Sequence, residues 1–266
     1  MSGRSAGDGS LPGKGEHLPQ TNRLWRGVLP DRPEMNAIVI MAREPVPQQV
    51  KTRLCPSLTP EAAARLYECF LLDTIELVRN IESVRRIVAY TPKDAGAYFR
   101  SIVPEGFALI YQKGADLGER LAHASRSLFD RGCAKVILIG SDSPNLPPGY
   151  IREGFCRLDE ADVVLGPCED GGYYLIGMRS AMPDLFAGVP WSSSAVTQAT
   201  VEKAMAARAT VSLLEEWYDV DRYKDLFRLK RDLDSTRMGQ DGRLFCIHTH
   251  RALSRMEGMQ GPQGIL

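Results

Sequence analysis

The residues that could do chemistry in this sequence sit in short polar segments just past runs of apolar ones. In "KVILIGSDSPNL" the apolar run Val136–Ile139 breaks into Ser-Asp-Ser-Pro, which puts Asp142 beyond the end of a buried strand. A carboxylate at such an apex can hold one edge of Mg2+ or Mn2+ while phosphate oxygens take the rest. It can also cap the helix expected near Pro147. In "AREPVPQQVKTRLCP" Lys51 and Arg53 are two residues apart in a loop stiffened by Pro45 and Pro47. If that loop is extended, the two point the same way and form a point charge and a fork suited to a diphosphate. A solvated basic loop is the equal alternative.

Three further segments carry candidate groups. "CEDGGYYLIG" sets Glu169 and Asp170 beside Gly171 and Gly172. This is either a tight turn or a backbone that a ligand approaches closely next to a carboxylate. Tyr173 and Tyr174 alternate faces, so one can line a site while the other joins the core. "EEWYDVDRYKDL" places Asp219 and Asp221 two apart. Either could complete a metal site with Asp142, and for Asp221 capping the next helix is the stronger reading. "GADLGERL" brings Arg120 to a helix start, where N–H groups favour an anion. "VPWSSSAV" offers Trp191 as a stacking platform or a core residue. The histidines and cysteines assemble no nucleophilic set, and there is neither a GxGxxG nor a GxxxxGK[ST] loop.

These segments need elements to position them. "AIVIMA", "VRRIVAY", "FALIYQ", "KVILIG", "ADVVLGP", "YYLIGM" and "TVSLLE" read as strands. Between them, "TPEAAARLYECFLLDTIELVRN", "PKDAGAYFRSIV", "LGERLAHASRSLFDRG", "PPGYIREGFCRL" and "SSAVTQATVEKAMAAR" read as helices, with "RYKDLFRLKRDL" as the last. Thr59 is the expected N-cap of the first, with Pro60 at its first position. Such alternation predicts a single α/β domain over residues 35–233, with a mostly parallel sheet covered by helices on both faces. The Gly-Gly turn predicts one antiparallel hairpin. Ligands of such a sheet bind at the carboxyl ends of its strands, where these polar segments fall. Residues 1–34, rich in Gly and Pro, read as a disordered extension, and residues 234–266 as a tail of uncertain structure.

Composition narrows the class. The 266 residues carry 33 basic and 33 acidic side chains, which gives no support for binding nucleic acid or an anionic membrane. No apolar run is long enough to span a bilayer. The 6 cysteines are scattered without a CxxC pair and read as reduced thiols, hence a cytoplasmic protein.

Taken in order, "PVPQQVKTRL", "DLGERL", "LIGSDSPNL", "VVLGPCEDGGYYLIG" and "VPWSSSAV" resemble the DUF2064 family. These are small proteins of the nucleotide-diphospho-sugar transferase superfamily with a GT-A-type glycosyltransferase fold, some associated with arsenosugar biosynthesis. The resemblance covers roughly residues 36–233. It implies a glycosyltransferase-like enzyme that moves a sugar from a nucleoside diphosphate-sugar to a small acceptor with a divalent metal, Mg2+ or Mn2+. Lys51 and Arg53, with Arg120, would hold the nucleotide diphosphate, and Asp142 with Asp219 or Asp221 the metal. Asp170 would be the catalytic carboxylate, in a substrate pocket with Glu169, Gly171, Gly172, Tyr173 and Trp191. The alternatives are a guanylyltransferase-like nucleotidyltransferase that uses a nucleoside triphosphate and releases pyrophosphate, and an inactive nucleotide-binding domain. The loop has Gln48 where the family has Gly, and Arg222 stands where the superfamily motif has Thr; both departures favour sugar transfer over nucleotidyl transfer.

Overall fold

The structure, a computed structural model, describes residues 35–235 and 246–257. The extension predicted at 1–34 and most of the predicted tail lie outside the described residues. Seven strands form one sheet: β1 (Asn36–Arg43), β2 (Val84–Thr91), β3 (Phe107–Tyr111), β4 (Val136–Ile139), β5 (Val163–Pro167), β6 (Tyr173–Met178) and β7 (Val211–Leu213). Their order is β3-β2-β1-β4-β6-β5-β7. Only β6 runs antiparallel, to both β4 and β5. The expected hairpin is therefore present, and it lies inside the sheet rather than at its edge.

The strands are apolar because both faces are covered. Ile38, Ile40 and Ala42 of β1 enter one core layer with Leu71, Ile75 and Val78 of α1 (Pro60–Arg79), Phe99 of α2 (Gly96–Ile102) and Ile151 and Phe155 of α4 (Pro148–Arg157). Ala37 and Val39 point the other way, toward Leu121, Ala124 and Leu128 of α3 (Leu117–Phe129) and Ala204 of α5 (Val196–Ala206). Continuous apolar runs are what a sheet buried on both faces requires.

Helix α1 starts as its sequence dictates. Thr59 Oγ1 accepts the Ala62 N–H at 3.2 Å, and Pro60 occupies the first turn, where no N–H is needed. Its second apolar stripe, Ala63, Leu66 and Phe70, packs on Leu226, Leu229 and Leu233 of α6 (Tyr223–Ser235) and on Leu253. Leu253 belongs to α7 (Ile247–Glu257), a helix within the stretch read from sequence as a tail. Helix α7 docks because Asp73 of α1 reaches its start: the carboxylate accepts the N–H groups of His248 at 3.1 Å and Thr249 at 2.7 Å.

Candidate active site

The loops after β1, β2, β3 and β4 meet along one edge of the sheet around a cavity of about 520 Å³. Asp142 is not a helix cap. The N-cap of α4 is Pro147, with no side-chain bond, while the Asp142 carboxylate sits 2.6 Å from Lys51 Nζ. Lys51 also lies 2.9 Å from Asp221, and its side chain is only 3% exposed, which excludes the solvated-loop reading. Nor is the loop extended: Lys51 adopts φ 46° and leads into a 3-10 turn, Thr52–Leu54. Arg53, 55% exposed, reaches the other oxygen of Asp221 at 2.8 Å. Both cations thus converge on Asp221 after all, but through a turn. The helix-cap reading of Asp221 is corrected by the same bonds. Asp225 accepts the N–H groups of Asp221 and Arg222 at the start of α6 instead, at 3.1 and 2.7 Å.

The charges perturb one another. Burial pulls the Lys51 ammonium down, but the carboxylates of Asp142 and Asp221 outweigh it and the net shift is upward. Burial favours protonation of Asp221, yet Lys51 and Arg53 hold it below the usual carboxylate range. Asp219 is pushed up to about 6, first by burial and then by the neighbouring charge of Asp142. Ser143 Oγ donates to it at 2.5 Å. The loop carrying Asp142 is fixed on two sides: Val220 N–H donates to the Asp142 carbonyl at 2.9 Å, and Ser141 Oγ lies 2.9 Å from the buried Tyr67 hydroxyl. Tyr67 in turn accepts the Arg43 N–H at 3.0 Å, so it ties the ends of β1 and β4 together.

Among the described residues no group of three or more His, Cys, Asp or Glu side chains is arranged to hold a metal by itself. Asp142 and Asp219 nonetheless fit a divalent cation held in part by substrate. Mg2+ takes one or two carboxylates and completes its shell with water and phosphate oxygens, and Asp142 and Asp219 lie near enough for the charge of one to act on the other. Asp221, bonded by two cations, is the poorest of the three candidate ligands.

The far end of the cavity is built by residues after β3. Gln112 Nε2 donates to the carbonyls of Ala42 and Ala89 at 3.0 and 2.8 Å, which locks its amide across the ends of β1 and β2. Leu117, 45% exposed, lines the same end with Asp116 and Arg120. Gln112 and Leu117 were missed in the sequence; only their position after a strand marked them. Gln112 follows β3, three strands from β4 in the sheet, and its amide reaches back to the end of β1. At the start of α3 one N–H is already taken, since Asp116 Oδ1 accepts the Glu119 N–H at 2.8 Å. Arg120 itself lines the cavity, with Nε donating to the Gly114 carbonyl at 3.1 Å.

A second cavity of about 260 Å³ shares Arg53 and Asp221 with the first. Glu169, Asp170 and Asp219 line it. Asp170 shapes its own turn, with Oδ1 accepting the Gly172 N–H at 2.9 Å. Gly171 has φ 88°, and a Cβ there would overlap the Ser194 carbonyl, so both the turn and the packing require glycine. Tyr173 and Trp191 pack edge to face at 6.3 Å and line neither cavity. The Trp191 indole lies against Gly118, where a Cβ would come within 2.8 Å of Nε1. Tyr174 is the core partner of the tyrosine pair.

Residues 74–193 match the family described as uncharacterized proteins conserved in bacteria, DUF2064. A protein from Desulfovibrio desulfuricans G20, provisionally assigned as a nucleotide-diphospho-sugar transferase, is 33% identical over 84% of this chain and 96% of its own, with a TM-score of 0.74. The chain belongs to the DUF2064 family. Its fold is the single α/β domain of the GT-A type, as the motifs implied. A 4-diphosphocytidyl-2C-methyl-D-erythritol synthase from Anaerococcus prevotii DSM 20548 shares the fold alone: 10% identity, 75% of this chain, 96% of its own, TM-score 0.51. A search of curated proteins finds no match. Against the DUF2064 match, the loop with Lys51 and Arg53 and the segment with Asp219 and Asp221 fall outside the matched residues, yet they complete the cluster around Asp142.

Proposed function

We propose that this DUF2064 protein is a transferase that moves a sugar from a nucleoside diphosphate-sugar to a small acceptor. The observation that carries the reading is the pair of adjoining cavities, one large enough for a nucleotide and one for a small molecule, joined at Arg53 and Asp221. The nucleoside lies toward Gln112 and Leu117, and the diphosphate toward Lys51 and Arg53. A divalent metal held by Asp142 and Asp219, when bound, adds charge stabilisation to the diphosphate as it departs. The acceptor nucleophile in the second cavity attacks the anomeric carbon. The bond from that carbon to the diphosphate oxygen breaks, and the diphosphate leaves with the electron pair. Asp170 takes the acceptor's proton. Lys51 and Arg53 stabilise the developing charge on the leaving group, and Arg120 adds to it from the cavity wall.

The β1 loop has no glycine with which to wrap a triphosphate closely, and this favours a diphosphate. Pro45 and Pro47 have no N–H, and those of Val46 and Gln49 bond within the loop at 2.8 and 3.0 Å. Incubation with a panel of nucleotide-sugars and alcohol acceptors is expected to release nucleoside diphosphate. Asp170→Asn is expected to lower kcat by about 100-fold or more. Pyrophosphate release from a nucleoside triphosphate, with no diphosphate from any sugar donor, would replace this reading with nucleotidyl transfer.

A further inference from the structure

We propose that the second cavity is an acceptor subsite that recognises an anionic group, a carboxylate or a phosphate, through Arg222 and Lys224. The proposal rests on the reading of the first cavity as the donor site, because it places the acceptor just beyond the diphosphate. At about 260 Å³ the cavity holds the volume of roughly eight or nine waters, which suits a small metabolite and not a second nucleotide.

Its charges are unevenly paired. Glu169 is held by Arg228 at 2.6 Å. Asp221 is held by Lys51 and Arg53, and Asp225 by the backbone at the start of α6. Arg222 and Lys224 line the cavity with no carboxylate partner among the described residues. Asp170 and Asp219 line the same cavity, so it carries both signs, and Arg222 and Lys224 are the lining cations left to meet an anionic group of a ligand.

The wall beside them is preorganised. The Arg228 guanidinium stacks 3.8 Å from the centre of the Tyr218 ring. Tyr218 is 4% exposed, and its hydroxyl donates to Asp232 at 2.6 Å while accepting from Asn145 at 2.7 Å. A buried tyrosine with both hydrogen-bonding roles filled, carrying a stacked and paired arginine, is a rigid floor and not a solvated face. Asp170 lines the same cavity, and its second carboxylate oxygen has no hydrogen-bond partner in the turn. The lining thus offers cations to orient the acceptor's anion and a carboxylate to meet its nucleophile.

The test is titration calorimetry of the full chain with a three-carbon series: glycerol, glycerate and glycerol 3-phosphate. Nucleoside diphosphates are titrated in parallel. The variant is Arg222→Glu with Lys224→Glu, both at exposed positions outside the first cavity. One or both anions are expected to bind at least tenfold tighter than glycerol, and the double substitution to remove that preference. Glycerate alone would assign a carboxylate, and glycerol 3-phosphate alone a phosphate. Equal binding of all three, or anion binding unchanged in the variant, would overturn the proposal. If no nucleoside diphosphate binds while the anion preference is present and lost in the variant, the donor-site reading fails and the anion subsite stands.

Discussion

Removing the Lys51 ammonium would leave Asp142 and Asp221 facing each other across the slot it fills, with a buried Asp219 alongside. Breaking a fully buried ion pair costs roughly 3–5 kcal/mol. Asp142 is 44% exposed and water offsets part of that loss, so Lys51→Met is expected to cost about 2–3 kcal/mol, measured by urea unfolding. Lys51→Arg should not restore it, because a planar fork does not replace a point charge between two carboxylates; full recovery would contradict the slot described here. The sequence showed which groups would gather, since Lys51, Asp142 and Asp221 each follow an element end. It did not show the pairing, because Lys51 and Asp221 are 170 positions apart and nothing local encodes that contact. Gln112 escaped notice for a related reason. Its value lies in two carbonyls on neighbouring strands, and a glutamine after a strand is otherwise unremarked.

At the scale of elements, the short strand β7 must be fastened to β5 by more than its few backbone bonds. Asp162, at the entry to β5, accepts the Thr210 N–H at 2.8 Å and its hydroxyl at 2.7 Å, and pairs with Arg179 at 2.7 Å. These bonds, led by the Thr210 N–H, draw its carboxyl down to about 2. A lowered carboxyl stabilises the fold above its ordinary value, near 3.9, and that contribution is lost as pH falls toward 2. Asp162→Asn is therefore expected to cost about 1–2 kcal/mol at neutral pH and to flatten the acid limb of the stability curve. An acid limb identical to wild type would refute this role. The strands and the helices α1 to α6 were legible because their apolar spacing and caps are local, as Thr59 and Pro60 illustrate. Helix α7 was not legible. Its one buried apolar side chain among the described residues is Leu253, and its start is capped by a carboxylate from another helix.

For the whole molecule, α7 matters because it leans on the helix that carries Tyr67 and faces the site. Cys246, just before it, donates from Sγ to the Pro144 carbonyl at 2.7 Å, in the loop that holds Asp142. Asp73→Ala is expected to weaken this docking by about 1–2 kcal/mol, and hydrogen exchange should accelerate about tenfold or more in residues 247–257 while β1 and β4 stay protected. Uniform protection in the variant would show that apolar packing alone seats the helix. Among the described residues no helix is long and apolar enough to cross a membrane. The edge of the sheet where four loops converge is the proposed ligand site, and whether it takes nucleotides is directly measurable. Thermal shifts with UDP, GDP, ADP, CDP and dTDP, and with the matching triphosphates, each with Mn2+ or chelator, make that test. A diphosphate at a hundred times its Kd stabilises by about 2.7 kcal/mol, roughly 5–10 °C for a domain of this size. The expected result is such a shift with one diphosphate, weakened by chelator and lost in Asp142→Ala. No shift with any nucleotide, or a shift that Asp142→Ala leaves intact, would contradict the nucleotide site.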